Sequence, residues 1–241
     1  MAKLVAHRGS VLNSYENSSR GFKKAGKNND VWGIETDIWK TKDNKFVCVH
    51  DYKPFINQKV VVGKIKWSQV KEMPINTAKM SFVTTDALFP TKLNKYLKIC
   101  KKYKKHPVIE LKDKRIDLNY LKILHGTISK YINRNKVYIA SFNFKALKLV
   151  DDFFADYKTI YLVEKRNSEK SKTAKNALLR KIRKLIKEQK NVGIQPHMVS
   201  EELVELAHEY EVKVYVWTVG DEKEYDKLSE LDVDFIVQDI G

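Results

Sequence analysis

Histidine and arginine side chains stand at the ends of apolar, β-branched segments in this chain of 241 residues. His7 and Arg8 follow the segment Leu4–Ala6, and His50 follows Phe46–Val49. Catalytic groups of parallel α/β barrels gather at the carboxyl ends of the strands. Two imidazoles in such a place can supply a proton acceptor and a proton donor near neutral pH.

The spacing of three carboxylates predicts that their side chains lie close together at the ends of two strands. Glu35 and Asp37 are two residues apart in one segment, and Glu110 stands two residues before Lys112 in another. Side chains alternate along a strand, so the members of each pair share a face. Three carboxylates that face one point repel each other unless a cation lies between them, and oxygen ligands suit Mg²⁺ or Ca²⁺ better than zinc.

The cationic side chains beside these carboxylates suit a phosphate group. Arg8 offers a fork of donors, and Lys112 offers a point charge. A metal, two cations and two imidazoles together indicate phosphoester cleavage. Simpler interpretations exist: Glu110 and Lys112 could form an ion pair, and Glu35 and Asp37 could face solvent on a half-exposed strand. The convergence of all these residues on strand ends favours a site.

The elements that must position these residues follow from periodicity. Short apolar segments alternate with stretches of helical period, which favours βα units and a mainly parallel sheet. Helical spacing is clearest after Pro90 and around Leu178–Ile186, while Ser200 and Asp221 are candidate helix caps. The strand candidates are Leu4–Ala6, Val31–Ile38, Phe46–Val49, Val108–Leu111, Val137–Ser141, Thr159–Val163, Val192–Gln195, Val212–Val219 and Phe235–Val237.

One connection is too short for a helical crossover. Between Asp37 and Phe46 only a turn fits, which predicts a β-hairpin at strand two and sets Glu35 opposite His50. Without the hairpin arm, eight strands remain, and eight strands alternating with helices predict an α/β (β/α)8 TIM barrel. A doubly wound open sheet is the alternative, but the glycine-rich phosphate motifs that would support it are absent from the sequence.

The domain organisation follows from the same alternation of strands and helices. We expect one domain over residues 1–241, without an internal repeat or a Gly/Ser-rich linker. Residues 52–90 break the alternation of strand and helix with Pro54, Gly63, Pro74 and Pro90. This segment is predicted to be a small insertion of loops and short strands that caps the active-site face.

The charge balance is strongly basic, with 46 Lys and Arg against 30 Asp and Glu and a net charge of +16. Such a balance fits a lysine-rich surface or attraction to anions. The basic stretch 170–190 carries an apolar stripe, which predicts an outer barrel helix. Its alternative is peripheral contact with anionic lipid headgroups. Nucleic acid is not expected as a partner, because no recognised binding motif is present.

The two cysteines, Cys48 and Cys100, make no C-x-x-C pair, and no apolar segment follows the first residues. Both features fit a reducing compartment and a cytoplasmic location. The longest apolar runs are also too short to cross a membrane.

Blocks of residues spread over the chain resemble the glycerophosphodiester phosphodiesterase family. The specific blocks lie in the first half, and weaker ones follow near Phe142, Trp217 and Asp239. The five specific blocks are Ala6-His7-Arg8-Gly9, Glu16-Asn17-Ser18, Glu35-Thr36-Asp37, Val49-His50-Asp51 and Glu110-Leu111-Lys112.

The resemblance implies a TIM barrel with a small insertion after the second histidine. It also implies hydrolysis of glycerophosphodiesters, as small-molecule substrates, to an alcohol and sn-glycerol 3-phosphate with one divalent metal ion. The implied roles are metal binding by Glu35, Asp37 and Glu110, acid–base catalysis by His7 and His50, phosphate contact by Arg8 and Lys112, and contact near the metal and the glycerol by Glu16.

Two aromatic residues are candidate walls of the site. Trp217 could close over the substrate glycerol and Phe142 could line the entrance, and core packing is the alternative for both. Departures from the family pattern, among them Tyr15, Gly220 and Gln238, concern the rim and therefore the leaving alcohol.

Two alternatives to this function fit the same residues. A related phosphodiesterase that acts on a lysophospholipid or a polymeric glycerol phosphate is one alternative. A catalytically weak anion- or membrane-binding protein on the same scaffold is the other. The sequence does not settle the metal, the histidine that starts as base, or the oligomeric state.

Overall fold

The computed structural model describes residues 2–12, 14–57, 59–76, 89–164 and 170–241. Its strands lie close to the segments that the sequence predicts, with one short addition at Thr91–Lys92. They are β1 (Lys3–Ala6), β2 (Val31–Lys40), β3 (Phe46–Cys48), β4 (Thr91–Lys92), β5 (His106–Leu111), β6 (Tyr138–Ser141), β7 (Lys158–Leu162), β8 (Val192–Ile194), β9 (Val214–Val219) and β10 (Phe235–Gln238).

Eight of these strands form a closed parallel barrel. The order around it is β1, β2, β5, β6, β7, β8, β9 and β10, and β10 pairs in parallel with β1 to complete the ring. The predicted (β/α)8 barrel is therefore confirmed, and the open sheet is wrong. Closure leaves the barrel strands without free edges.

Helices connect successive barrel strands along the outside. The helices are α1 (Ser19–Lys27), α2 (Trp67–Val70), α3 (Leu93–Lys102), α4 (Leu118–Ile128), α5 (Phe144–Phe153), α6 (Lys172–Lys187), α7 (Glu201–Glu209) and α8 (Glu222–Glu230). The short helix α2 belongs to the segment after β3, and each of the other helices leads from one barrel strand to the next around the ring. Their buried faces form the larger apolar core, which lies between the barrel and the helices.

The predicted helix starts are confirmed by their caps. The Ser200 hydroxyl accepts a hydrogen bond from the Leu203 amide at 3.3 Å, and Asp221 Oδ1 accepts one from the Glu224 amide at 2.8 Å. Such caps satisfy amides that the helix itself leaves unpaired, and each stabilises by about 1 kcal/mol.

The hairpin at strand two is confirmed, but its predicted register is wrong by one residue. Ile38 pairs with Cys48, and the Val49 amide donates to the Asp37 carbonyl at 3.1 Å. The turn is longer than expected because Thr41 closes it: its amide donates to the Lys45 carbonyl at 2.8 Å. The strand β3 also ends at Cys48, so His50 lies in the loop beyond the ladder rather than opposite Glu35.

Part of the segment 52–90 is described, and residues 77–88 lie outside the described residues. The part up to residue 76 contains a 3₁₀ turn at Val62–Lys64 and the short helix α2. A small second core joins it to the hairpin, with Trp39 and Val47 on one side and Phe55 and Ile75 on the other. The hairpin therefore supports this segment directly beside the carboxyl ends of the barrel strands.

Candidate active site

The polar residues at the strand ends share one position in the barrel. Four of the side chains near strand ends each stand two residues after a side chain that fills the barrel interior, so strand alternation directs both members of each pair inward. These pairs are Val5 and His7, Val108 and Glu110, Tyr215 and Trp217, and Val237 and Asp239. They lead to a cavity of about 50 Å³ whose lining includes His7, Glu35, Glu110 and Trp217.

The three carboxylates meet at this end of the barrel. Oxygens of Glu35, Asp37 and Glu110 all lie within 4.8 Å of one another. Two features of the strands cause this: Glu35 and Asp37 share a face of β2, and Asp37 pairs directly with Glu110 in the β2–β5 register. Glu35 and Asp37 are buried, with exposed fractions of 7% and 1%. The structure thus brings together the residues that the sequence singles out as metal ligands.

Their electrostatics reflect this crowding. Burial, together with the charges of Asp37 and Glu110, raises the pKa of Glu35 well above its usual range. Burial and the charge of Asp37 raise the pKa of Glu110 to about 7. Burial also pushes the pKa of Asp37 upward, but Arg8 and Lys112 outweigh it and hold the value below normal. Two of the three carboxyls therefore resist ionisation unless more positive charge is supplied.

Two cations contact this cluster. Arg8 Nε lies 3.2 Å from Asp37 Oδ2, and Arg8 Nη1 donates to Glu16 Oε2 at 2.6 Å. Lys112 Nζ lies 3.2 Å from Asp37 Oδ1 and 3.0 Å from Glu110 Oε1. When every group is ionised, the three clustered carboxylates exceed the two cations by one negative charge.

The backbone at Arg8 takes a left-handed turn that aims its groups at the cluster. Arg8 has φ 52° and Gly9 has φ 89°. In this conformation the Arg8 amide donates to Glu35 Oε2 at 2.9 Å. Gly9 is needed because a Cβ there would lie 2.9 Å from the Gly21 carbonyl carbon in α1, in addition to its positive φ. Glycine at position 9 thus allows the turn after β1 to pack closely against the backbone of α1.

Asn17 is a contributor whose contacts the sequence analysis did not identify. Its Nδ2 donates to Asp37 Oδ2 at 2.9 Å, and its Oδ1 accepts from Thr36 Oγ1 at 2.7 Å. Its amide donates to the Arg8 carbonyl at 2.9 Å. Asn17 therefore holds the β2 carboxylate and the β1 turn together. Its place in the block Glu16-Asn17-Ser18 was the one feature of the sequence that pointed to Asn17. Its contacts could not be read from the sequence, because they join the loop after β1 to β2.

Both histidines have a carboxylate on the same ring nitrogen. His7 Nδ1 lies 2.7 Å from Asp239 Oδ1, and His50 Nδ1 lies 3.0 Å from Asp51 Oδ1. A carboxylate at Nδ1 keeps a proton there, so Nε2 is the nitrogen available for proton exchange. The His50 loop is also held by Trp39, whose Nε1 donates to the His50 carbonyl at 3.1 Å.

The environment of His50 is electropositive as well as partly buried. Burial lowers the pKa of His50, and Arg8 and Lys112 lower it further. The opposing effects of Asp37 and Asp51 do not cancel this shift. His50 is therefore biased toward the neutral imidazole, the form that accepts a proton.

Two aromatic rings stand at the mouth of the cavity. Phe142 and Trp217 contact edge to face, with ring centroids 5.4 Å apart. Phe142 is 42% exposed, so it is not a core residue. Trp217 Nε1 and Gln195 Oε1 are each buried without a hydrogen-bond partner among the described residues, and Gln195 directly follows β8, the strand that pairs with β9. Phe142 and Trp217 therefore form an apolar wall beside the cavity, and the Trp217 ring adds a donor that the described residues leave unpaired.

The sequence matches a family model over almost its entire length. The model is that of the glycerophosphoryl diester phosphodiesterase family, and it matches residues 7–240. The chain belongs to this family. It is therefore a phosphodiesterase, and the match includes the residue blocks on which the resemblance rests. Among curated protein sequences, none matches significantly.

Solved structures show the same fold at low sequence identity. A protein from Galdieria sulphuraria is 22% identical with a TM-score of 0.80, and the match covers 99% of this chain and 94% of that one. A glycerophosphodiester phosphodiesterase from Parabacteroides distasonis is 22% identical with a TM-score of 0.75, covering 99% and 92%. A phosphodiesterase from Oleispira antarctica, solved with the product sn-glycerol-3-phosphate, is 17% identical with a TM-score of 0.80, covering 99% and 93%.

No helix in the described part of the phosphodiesterase combines the length and the apolar character that crossing a membrane requires.

Proposed function

We propose that this phosphodiesterase hydrolyses glycerophosphodiesters to an alcohol and sn-glycerol 3-phosphate, with one divalent metal ion and two catalytic histidines. The observation that carries the proposal is the cluster of Glu35, Asp37 and Glu110, whose oxygens lie within 4.8 Å of one another between two cations. The Oleispira antarctica relative, which holds sn-glycerol-3-phosphate, supports the same product.

The donor set fits a hard divalent cation. Glu35, Asp37 and Glu110 offer only oxygen ligands, which Mg²⁺ and Ca²⁺ prefer. The raised pKa values of Glu35 and Glu110 are the response expected of carboxyls that lack enough neighbouring positive charge. When bound, such a cation supplies Lewis-acid stabilisation of phosphoryl oxygens.

Arg8 and Lys112 are proposed to bind the phosphodiester. With a divalent cation added, the ionised cluster changes from one net negative charge to one net positive charge. This matches a phosphodiester, which carries one negative charge. Since Arg8 and Lys112 each contact Asp37 at 3.2 Å, their head groups are already held where the phosphate would lie.

His7 and His50 are proposed to exchange the protons. One imidazole takes the proton of the nucleophile, which we propose to be the glycerol hydroxyl next to the phosphate. The other gives a proton to the departing alcohol oxygen, so the P–O bond to the alcohol breaks as a cyclic phosphate forms. Water then opens the ring while the histidines exchange roles. The lowered pKa of His50 favours it as the first proton acceptor.

The remaining predicted site residues are proposed to shape the pocket. Glu16, bonded to Arg8 at 2.6 Å, would orient this guanidinium and contact the glycerol. Trp217 would cover the glycerol, and Phe142 would form the wall on the side of the leaving alcohol. The exposed ring of Phe142 also favours a lysophospholipid as a second candidate substrate, because an apolar leaving group could pack on it.

Cys48 and Cys100 are buried free thiols. Unpaired cysteines are compatible with a reducing compartment, and we propose a cytoplasmic location for this phosphodiesterase. Fractionation of cells that express it would test this, and recovery only outside the cytoplasm would contradict it.

The decisive experiment is a substrate and metal panel. Glycerophosphocholine, glycerophosphoethanolamine, glycerophosphoglycerol and a lysophospholipid are each incubated with Mg²⁺, with Ca²⁺ or with chelator, and glycerol 3-phosphate is detected. We expect turnover of at least one diester with metal and none with chelator. Turnover that chelator does not affect would refute the proposed metal site.

The histidine roles need a separate test. His7→Ala and His50→Ala should each abolish turnover while the fold, monitored by circular dichroism, is retained. His125→Ala on the outer helix α4 is the matched control and should leave turnover unchanged. Near-normal activity of either active-site variant would exclude that residue from proton transfer.

A further inference from the structure

Large apolar side chains are exposed mainly at one end of this molecule. Among the described residues, six such side chains are exposed. Five of them lie in loops at the carboxyl end of the barrel and form what we call the apolar rim: Leu12 (61% exposed), Tyr52 (45%), Ile56 (63%), Phe89 (43%) and Phe142 (42%). The sixth, Phe153 (59%), ends α5 at the opposite end of the barrel.

The topology places the rim residues around the active-site mouth. Leu12 follows β1, and its amide donates to the Ile240 carbonyl at 3.1 Å in the loop after β10. Phe89 precedes β4, which pairs with β3 just before the loop that carries His50. Phe142 follows β6 and packs on Trp217. The rim therefore belongs to separate loops that share one surface.

The two remaining rim residues belong to the segment that follows β3. Tyr52 stands two residues after His50 and packs against Trp39, with ring centroids 5.0 Å apart. Ile56 is held by a backbone hydrogen bond from its amide to the Pro74 carbonyl at 3.1 Å. The small second core thus holds this segment in place while both side chains remain partly exposed to solvent.

The same segment is strongly basic. Residues 52–76 contain a single acidic residue, Glu72, and five lysines, all of which are exposed. The lysines are Lys53, Lys59, Lys64, Lys66 and Lys71. Exposed apolar residues that alternate with lysines are the composition expected of a surface that contacts anionic headgroups and the acyl region beneath them.

The basic helix α6 lacks this combination. Its apolar stripe, Leu178, Ile182, Leu185 and Ile186, is fully turned to the barrel and buried. Its lysines can add long-range attraction to an anionic surface, but the helix has no apolar face to insert. The apolar contribution to any lipid contact must therefore come from the rim.

We propose that the carboxyl end of the barrel docks on an anionic lipid surface, with the apolar rim between the headgroups and the lysines of residues 52–76 on their phosphates. A lipid surface fits better than a folded protein partner, because the described rim residues belong to several separate loops and exposed lysines lie among them in the segment 52–76. In this orientation the active-site mouth faces the headgroup layer.

Vesicle sedimentation tests the proposal without relying on catalysis. The purified chain is mixed with vesicles of phosphatidylcholine alone, or of phosphatidylcholine with phosphatidylglycerol, at low salt. We expect it to sediment with the anionic vesicles only. Absence of binding to the phosphatidylglycerol vesicles would overturn the proposal whether or not the chain hydrolyses diesters.

Two variants separate the rim from the overall charge of the chain. Leu12→Ser/Ile56→Ser/Phe89→Ser removes apolar contact, and Lys53→Gln/Lys59→Gln/Lys64→Gln removes charge from the segment. We expect the lysine variant to lose about fivefold in partitioning per lysine at low salt. The rim variant should lose at least about tenfold, since each residue removes several buried methylene equivalents.

Matched variants at the opposite end serve as controls. Phe153→Ser removes an equally exposed aromatic ring, and Lys101→Gln/Lys102→Gln/Lys130→Gln removes three exposed lysines. Both should bind anionic vesicles about as well as the unmodified chain. Equal losses in the control and test variants would show that overall charge, not the rim, drives binding and would overturn the proposal. Turnover of a water-soluble diester that the unmodified chain hydrolyses in the substrate panel reports separately that each variant keeps its active site.

Discussion

The imidazole of His7 and the carboxylate of Asp239 lie 2.7 Å apart although 232 positions separate them in the chain. They meet because β1 and β10 are neighbours in the closed barrel, with Ala6 beside Gln238. The ring closure that joins the first and last strands therefore also completes the environment of one proposed catalytic histidine. The contact leaves His7 Nε2 as the nitrogen that can exchange a proton with substrate.

Replacing Asp239 should impair catalysis without affecting substrate binding. Asp239→Asn removes the carboxylate oxygen that holds the His7 ring and its Nδ1 tautomer in place. We expect kcat to fall by about 10–100-fold with KM little changed. Asp232→Asn, in the turn before β10, is the control, and equal effects of both would contradict a positioning role.

Replacing Asn17 should weaken metal binding more than folding. Asn17→Ala removes the donor to Asp37 Oδ2 and the acceptor for Thr36. We expect the affinity for Mg²⁺ or Ca²⁺, measured by calorimetry, to fall by about 10–100-fold, because groups that orient metal ligands have effects of this size. Asn94→Ala on α3 is the matched control. An unchanged metal affinity of the Asn17 variant would show that Asp37 needs no such support.

Metal binding should strengthen as pH rises through neutrality. Glu35 has a pKa well above its usual range and Glu110 has one of about 7, so both hold protons at slightly acidic pH that a cation must displace. Calorimetry in two buffers of different ionisation heat should reveal proton release on binding at pH 6.5. For Glu110→Gln we expect about one proton fewer to be released. An affinity that does not change with pH would contradict this prediction.

Glu110→Gln should stabilise the chain at alkaline pH in the presence of chelator. The folded-state pKa of Glu110, about 7, is above its unfolded value, so the folded state binds the proton more tightly. Its contribution to stability is present at low pH and is lost as pH rises from the unfolded toward the folded value. We expect the variant to be more stable by roughly 1–3 kcal/mol at pH 8 than the unmodified chain.

The same variant provides an internal control at acidic pH. At pH 5 Glu110 is protonated in the folded chain, so glutamine is nearly isosteric and the difference in stability should largely vanish. Urea unfolding at both pH values measures this. A stability gain that is the same at pH 5 and pH 8 would indicate a packing effect rather than relief of charge repulsion.

The sequence by itself determined the class of fold and which polar side chains share a strand face. Strand alternation is a local property, so the spacing of Glu35 and Asp37, and of Glu110 and Lys112, fixed which side chains share a face. The alternation of strands and helices, with one connection too short for a helix, was enough to predict the barrel and its hairpin. Family blocks then predicted a phosphodiesterase, and the family match confirms it.

Only the tertiary structure decided how these groups contact each other. The hairpin register depends on the turn at Thr41. The Lys45 amide donates a hydrogen bond to Thr41 Oγ1, and the turn is one residue longer than the sequence spacing predicts. The partners of Asp37, namely Asn17, Arg8 and Lys112, come from three other elements, and no local pattern encodes such contacts. The pairing of His7 with Asp239 likewise requires the closure of β1 on β10. Sequence periodicity sets the direction of a side chain, but strand register and ring closure set its neighbours, and the chemistry depends on both.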